Sequence, residues 1–246
     1  KGDIQTKVYG KDLFPTSGEY NAESITRGLV EFLGEVEHLA IDLDQIQNKA
    51  AKLFNDVESG NGSLDFNLPS RPPGFCTGCP ERPVFTAIKM LKEEIGDVHI
   101  AADIGCHAFA TYPPFSMGNS ILGYGLGLAS AQAVGPILEK RTITIMGDGG
   151  FWHNGLQTGV LSNLFNQGDG VLIIMQNGYS SATGQQDIPS SITDYDPVVQ
   201  TSDIESALKT LGVKWLRKVR TYGVSRMLDT LREAMSTEQQ GLKVII

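Results

Sequence analysis

Apolar and polar positions divide the chain into short apolar runs and longer segments with a helical spacing. Thr142 to Met146 is β-branched and poor in charge, which predicts a buried parallel strand. Phe151 to Asn166 carries apolar residues at Leu156, Val160, Leu161, Leu164 and Phe165, a helical period. Val171 to Met175 is the next strand, ending in Gln176-Asn177-Gly178. Upstream, Glu81 to Glu94 predicts a helix with Lys89, Lys92 and Glu93 on its wet face, and Val98 to Asp103 a strand. The run NSILGYGLGLASAQA, from Asn119, predicts a helix rich in small residues. Downstream, Ala182 to Gln186 is a polar loop and Ile188 to Gln200 an irregular excursion. Asp203 to Leu211 predicts a helix with Asp203 in its first turn and Gly212 at its end. A strand over Val213 to Val219, a helix over Val224 to Met235 and a terminal strand complete the pattern.

Strands alternating with helices predict an α/β fold, a parallel sheet flanked by helices. The first part of the chain differs. Helices are predicted at about Ala22 to Leu33 and Leu39 to Leu53, a turn at Gly60 to Ser63, and a proline-rich linker at Leu68 to Gly74. The boundary is placed at the proline run. Residues 1–70 are then a small helical N-terminal segment, a linker or the end of a preceding domain, and residues 71–246 a single domain.

Length and charge narrow the classes. A chain of 246 residues has ample core for one large domain. Its net charge of −8 argues against nucleic acid or an anionic membrane as main partner. No apolar run approaches the ~20 residues that span a bilayer, and no signal peptide is visible, so a cytoplasmic location is expected. The chain opens at Lys1 and closes in Val244-Ile245-Ile246, mid-strand in character, so a fragment is expected.

The chemistry is concentrated in two turns. Gly147-Asp148-Gly149-Gly150 and Gln176-Asn177-Gly178 both follow strands, at the edge where open parallel sheets bind ligands. Asp148, Asn177 and a carbonyl near Tyr179 supply three oxygens for a hard cation such as Mg²⁺, which keeps phosphate oxygens and waters as its other ligands. GDG followed at this distance by Asn resembles the diphosphate signature of thiamine-diphosphate (ThDP) enzymes. The bland alternative is an ordinary crossover with glycine turns. All three cysteines fall near one another in the pattern: Cys76 and Cys79 as C-x-x-C before a helix, Cys106 at a strand end. Buried thiols, zinc held by Cys76, Cys79, Cys106 and His107, and an iron–sulfur cluster needing four thiolates all remain open.

FCTGCPERP, ADIGCHAF, SMGNS, GDGGFWHNG and QNGYSSATGQQ together resemble the 2-oxoacid:ferredoxin oxidoreductase family, most of all its indolepyruvate type. The resemblance implies a ThDP-binding fold and oxidative decarboxylation of a 2-oxoacid, an aryl pyruvate such as indolepyruvate, to an acyl-CoA, with electrons passed to ferredoxin. It implies Mg²⁺ held by Asp148, Asn177 and the Tyr179 carbonyl, and backbone approach to the diphosphate at Gly147, Gly149 and Gly178. Ile104, Gly105, His107, Met117, Gly118 and Thr183 would line the cofactor, and His153 would meet phosphate or a substrate carboxylate. Cys76, Cys79 and Cys106 would ligate a [4Fe–4S] cluster whose fourth ligand is missing. A pyrimidine-binding domain or subunit, ferredoxin, the 2-oxoacid and coenzyme A are the implied partners, in an oligomer. The basic stripe Arg217, Lys218 and Arg220 is a solvated face or a contact for an acidic ferredoxin. Two other classes stay open: a carboligase of the acetolactate-synthase type without a cluster, and a non-catalytic scaffold subunit.

Overall fold

The computed structural model describes residues 7–15, 22–36, 42–62, 73–181, 183–191 and 202–246. It has two compact units, Lys1–Arg71 and Pro72–Ile246. The first holds α1 (Ala22–Glu35) and α2 (Leu43–Gly62). Asp42 caps α2, its carboxylate accepting from the Gln45 amide at 2.9 Å. The turn expected at Gly60 to Ser63 is helical as far as Gly62, where a glycine costs only about 1 kcal/mol, and Ser63 lies outside the described residues. The expected helix start at Leu39, most of the proline linker and Ile192 to Gln200 lie outside the described residues.

The second unit is a five-stranded parallel sheet in the order β1-β2-β3-β5-β4. Its strands are β1 (Ile100–Ala102), β2 (Ile143–Gly147), β3 (Val171–Met175), β4 (Trp215–Arg217) and β5 (Lys243–Ile245). The period of two sorts the strand residues between two cores. Ile143, Ile145, Val171, Ile173 and Met175 pack on one face with Val84, Phe85, Ile88 and Leu91 of α3 (Glu81–Ile95). Leu172, Ile174 and Val244 pack on the other with Leu128, Phe151 and Val160. Helices cover both faces, which explains the uninterrupted apolar strands.

The small-residue helix begins later than the sequence predicts, as α4 (Gly127–Leu138). Asn119 and Ser120 are drawn off to β1: the Ile100 amide donates to Asn119 Oδ1 at 2.8 Å and the Ala102 amide to the Ser120 carbonyl at 3.0 Å. The helix after β2, α5, begins at Asp148, runs through the wide π-type turns of Phe151–Leu161 and ends at Phe165. α6 (Ile204–Thr210) is capped by Asp203, which lies just outside the helix and accepts from the Ser206 amide at 2.7 Å. α7 (Val224–Ser236) precedes β5. Lys243 on β5 is fully buried and pairs with Asp169, which also accepts from Arg141 Nε at 2.9 Å.

Candidate functional site

Parallel pairing of Gly147 with Met175 sets the ends of β2 and β3 side by side. Asp148 is the next residue, 1% exposed, and its carboxylate joins the two turns. Oδ2 accepts from the amides of Asn177 at 3.0 Å and Gly178 at 2.7 Å, while Oδ1 accepts from Gly149 at 3.0 Å. Burial pushes this carboxyl up from its ordinary range, and the three amides pull against that rise. Asn177 Oδ1 accepts from the Tyr179 amide at 3.1 Å. Gly178 takes φ +86° with open space beside it, so the backbone turns where only glycine is unstrained.

Gly149 has no room for a side chain: a Cβ there would strike the hydroxyls of Tyr124 and Ser180, which hydrogen-bond to each other. The Tyr124 ring lies 5.0 Å from that of His153, at 35°. His153 is therefore tied to the Gly149 turn, although it is exposed. Tyr124 is held by a residue that sequence reasoning passed over. Asp103, wholly buried, accepts from the Gly125 amide at 2.9 and 2.8 Å and from Ile104 at 2.8 Å. Burial raises its carboxyl to about 6 against those bonds. The only signal for Tyr124 and Ser180 was their position beside glycine turns.

The other candidate residues spread around this centre. Ile104 is exposed after β1, and Gly105 abuts the His107 ring. Met117 is buried with its side chain in the α3-side core, so only its backbone faces outward, beside Gly118 at φ +111°. Thr183 donates to Gln186 within its own loop, which is joined to the site by the Ser180 amide bonding the Gln186 carbonyl at 2.9 Å. His107 is 2% exposed, and burial drops its imidazole to about 4. Its Nδ1 lies 4.0 Å from Glu81 Oε1, and burial lifts Glu81 to about 7. His107 Nε2 and Glu81 Oε2 are both buried without a hydrogen-bond partner among the described residues.

The cysteines are free thiols. Cys79 and Cys106 are near enough to interact: burial pushes the Cys79 thiol up, and the Glu81 and Cys106 charges add to the rise. Cys76 is exposed, and Cys106 Sγ is 3.9 Å from Ser181 Oγ. Among the described residues no three His, Cys, Asp or Glu side chains are placed to hold a metal ion. The chain's three cysteines are one short of the four thiolates a [4Fe–4S] cluster needs. A cavity of about 940 Å³ lies at the other end of the sheet, around Arg141, Thr142 and Gly170, away from these turns.

Residues 103–246 match the family model of the thiamine pyrophosphate enzyme, C-terminal TPP binding domain. The chain belongs to this family. Thiamine pyrophosphate is ThDP, and the matched stretch contains both acidic and amide turns. Indolepyruvate oxidoreductase subunit IorA of Archaeoglobus fulgidus is 27% identical over 243 residues, covering 98% of this chain and 36% of the relative. The IorA subunit of Methanothermobacter marburgensis is 28% identical over 201 residues, covering 79% and 32%. The chain thus spans about a third of the length of the curated relatives it matches. Its fold is similar to a 2-oxoglutarate:ferredoxin oxidoreductase from Magnetococcus marinus, with TM-score 0.58 at 17% identity over 72% of this chain and 64% of that one. Asp148 and Asn177 put an anionic oxygen and an amide oxygen on adjoining turns. Both are oxygen donors, the type a hard cation prefers. No helix among the described residues is long and apolar enough to cross a membrane.

Proposed function

We propose that this chain is the diphosphate- and Mg²⁺-binding part of a ThDP-dependent 2-oxoacid:ferredoxin oxidoreductase acting on an aryl pyruvate such as indolepyruvate. The observation that carries the reading is Asp148, a buried carboxylate that stitches the ends of β2 and β3 together through the Asn177 and Gly178 amides. The balanced reaction turns 2-oxoacid, coenzyme A and two oxidised ferredoxins into acyl-CoA, CO₂, a proton and two reduced ferredoxins. When bound, ThDP supplies the nucleophilic carbon that the protein's own side chains lack. Asp148, the Asn177 side chain and the Tyr179 carbonyl would hold Mg²⁺, and the bare backbone of Gly147, Gly149 and Gly178 would admit the diphosphate. Ile104, Gly105, His107 and the Met117-Gly118 backbone would wall the cofactor, with Thr183 in the loop above. His153, held by Tyr124, is the side chain suited to a substrate carboxylate. A pyrimidine-binding domain or subunit completes the site, so this chain alone is inactive.

Asp148→Ala removes an oxygen ligand and the charge that offsets the dication. In the full-length enzyme it should weaken Mg²⁺-dependent ThDP binding by about 100-fold or more, by calorimetry. Undiminished affinity would refute the site. Three cysteines in this chain, against the four thiolates of a cluster, favour one second reading, a ThDP carboligase of the acetolactate-synthase type. Iron and acid-labile sulfide in the anaerobically purified full-length protein would decide for the oxidoreductase, and their absence for the carboligase.

A further inference from the structure

The backbone donors of the two turns are already committed. The amides of Gly149, Asn177 and Gly178 all donate to the Asp148 carboxylate, and the Tyr179 amide donates to Asn177 Oδ1. A backbone amide carries a single hydrogen, so each of these four is engaged within the protein. The glycines also differ in the space beside them. Gly178 opens onto free space, and the His107 ring lies 3.8 Å from where a Cβ would stand at Gly147. The room beside Gly149 is filled by the hydroxyls of Tyr124 and Ser180. Separate segments bring them there. Tyr124 precedes Gly125, whose amide is fixed by Asp103 and which lies so near the Gly150 carbonyl that a Cβ would meet it at 2.7 Å. Ser180 is held by its own amide, which donates to the Gln186 carbonyl at 2.9 Å. Both side chains are half-buried, and their hydroxyls bond each other. Two hydroxyls carry two hydrogens, and the mutual bond uses one. Among the described residues neither hydroxyl has a further partner, so one O–H is left to donate.

We infer that Tyr124 and Ser180 form a hydroxyl pair that donates its free hydrogen to a phosphate oxygen of the cofactor's diphosphate. The inference rests on the ThDP reading and adds two binding residues to it. Either oxygen can be the donor in the mutual bond, so the pair offers its hydrogen from Tyr124 or from Ser180 without moving either side chain. A hydroxyl bond to an ionised oxygen is about twice as strong as a bond between neutral groups. The His153 ring packs on Tyr124 with centroids 5.0 Å apart, so the competing anion is a substrate carboxylate.

The test uses the full-length assembled enzyme, stripped of cofactor, with Mg²⁺ and either ThDP or inorganic pyrophosphate as the calorimetric probe. Tyr124→Phe and Ser180→Ala each remove one hydroxyl and free the hydrogen of the other. Each alone should bind both probes within about 3-fold of wild type, whereas Tyr124→Phe/Ser180→Ala should bind both about 10-fold or more weakly. That excess over the two single losses is the signature of one shared donor. Single variants that each lose as much as the double overturn the proposal, because hydroxyls that serve only each other lose their bond at the first substitution. Undiminished affinity in the double variant overturns it too. A raised KM for the 2-oxoacid in that variant, with ThDP binding intact, gives the pair to the substrate carboxylate instead. A wild-type enzyme that binds neither probe refutes the ThDP reading itself.

Discussion

At the scale of single residues, Glu81 and His107 form a buried pair whose two ionisations oppose each other. Folded Glu81 keeps its proton to about pH 7, whereas the unfolded chain releases it near 4.5. The unfolded state binds fewer protons in that window, so this group's contribution to stability falls as pH rises through it, by about 3 kcal/mol in full. His107 has the opposite sign. Its folded value of about 4 lies below the ordinary 6.5, so its contribution is present above 6.5 and lost as pH falls toward 4. Between about 4.5 and 6.5 the two cancel. Glu81→Gln should uncover the histidine: urea unfolding at stepped pH should show the variant gaining stability relative to wild type from pH 4.5 to 7. Parallel profiles would mean that Glu81 is not buried as described. The thiols should also differ. Cys76 is exposed, while burial raises Cys79 and thereby depletes its reactive thiolate. Iodoacetamide should therefore label Cys76 first, read by mass spectrometry.

At the scale of elements, β3, β5 and α7 are fastened by one charge cluster at the amino end of the sheet. Arg141 bonds Asp169 and donates to the Met235 carbonyl at 2.9 Å, at the end of α7, and Asp169 also neutralises Lys243. Asp169→Ala would leave a buried ammonium unpaired, at a cost of about 3–5 kcal/mol, whereas Lys243→Met should be near neutral. Chemical denaturation of both variants checks the asymmetry. The sequence made the elements with strong local signals legible: β3 over Val171–Met175, α3 and α7 within two residues, and the paired turns after β2 and β3. It could not reveal α4's late start, because the bonds from Asn119 to Ile100 and from Asp103 to Gly125 join separate segments. Tyr124, Ser180 and Glu81 were missed for the same reason. Each acquires its role from a residue far away along the chain.

At the scale of the whole molecule, the sheet is polar in its organisation, with the Asp148 and Asn177 turns gathered at one end. The segments leaving that end expose large apolar side chains: Tyr112 at 47%, Leu122 at 68% and Tyr179 at 37%. Exposed apolar groups mark an interaction site where they join into one contiguous patch. The proposed pyrimidine-binding domain would supply such a cover. In the full-length assembly, backbone amides near Ile104–Tyr112 and Asn177–Ser181 should exchange hydrogen more slowly than in the isolated chain. Equal exchange would leave the site without its second half.

The burial of Lys243 also gives the protein an internal clock. With no accessible surface, its amine is beyond the reach of acylating reagents and of trypsin while β5 stays in the sheet. Exposed lysines such as Lys89 are modified at once and serve as the reference. Pulsed acylation followed by peptide mapping would then read the opening of the central sheet directly, as the rate at which a single lysine loses its concealment.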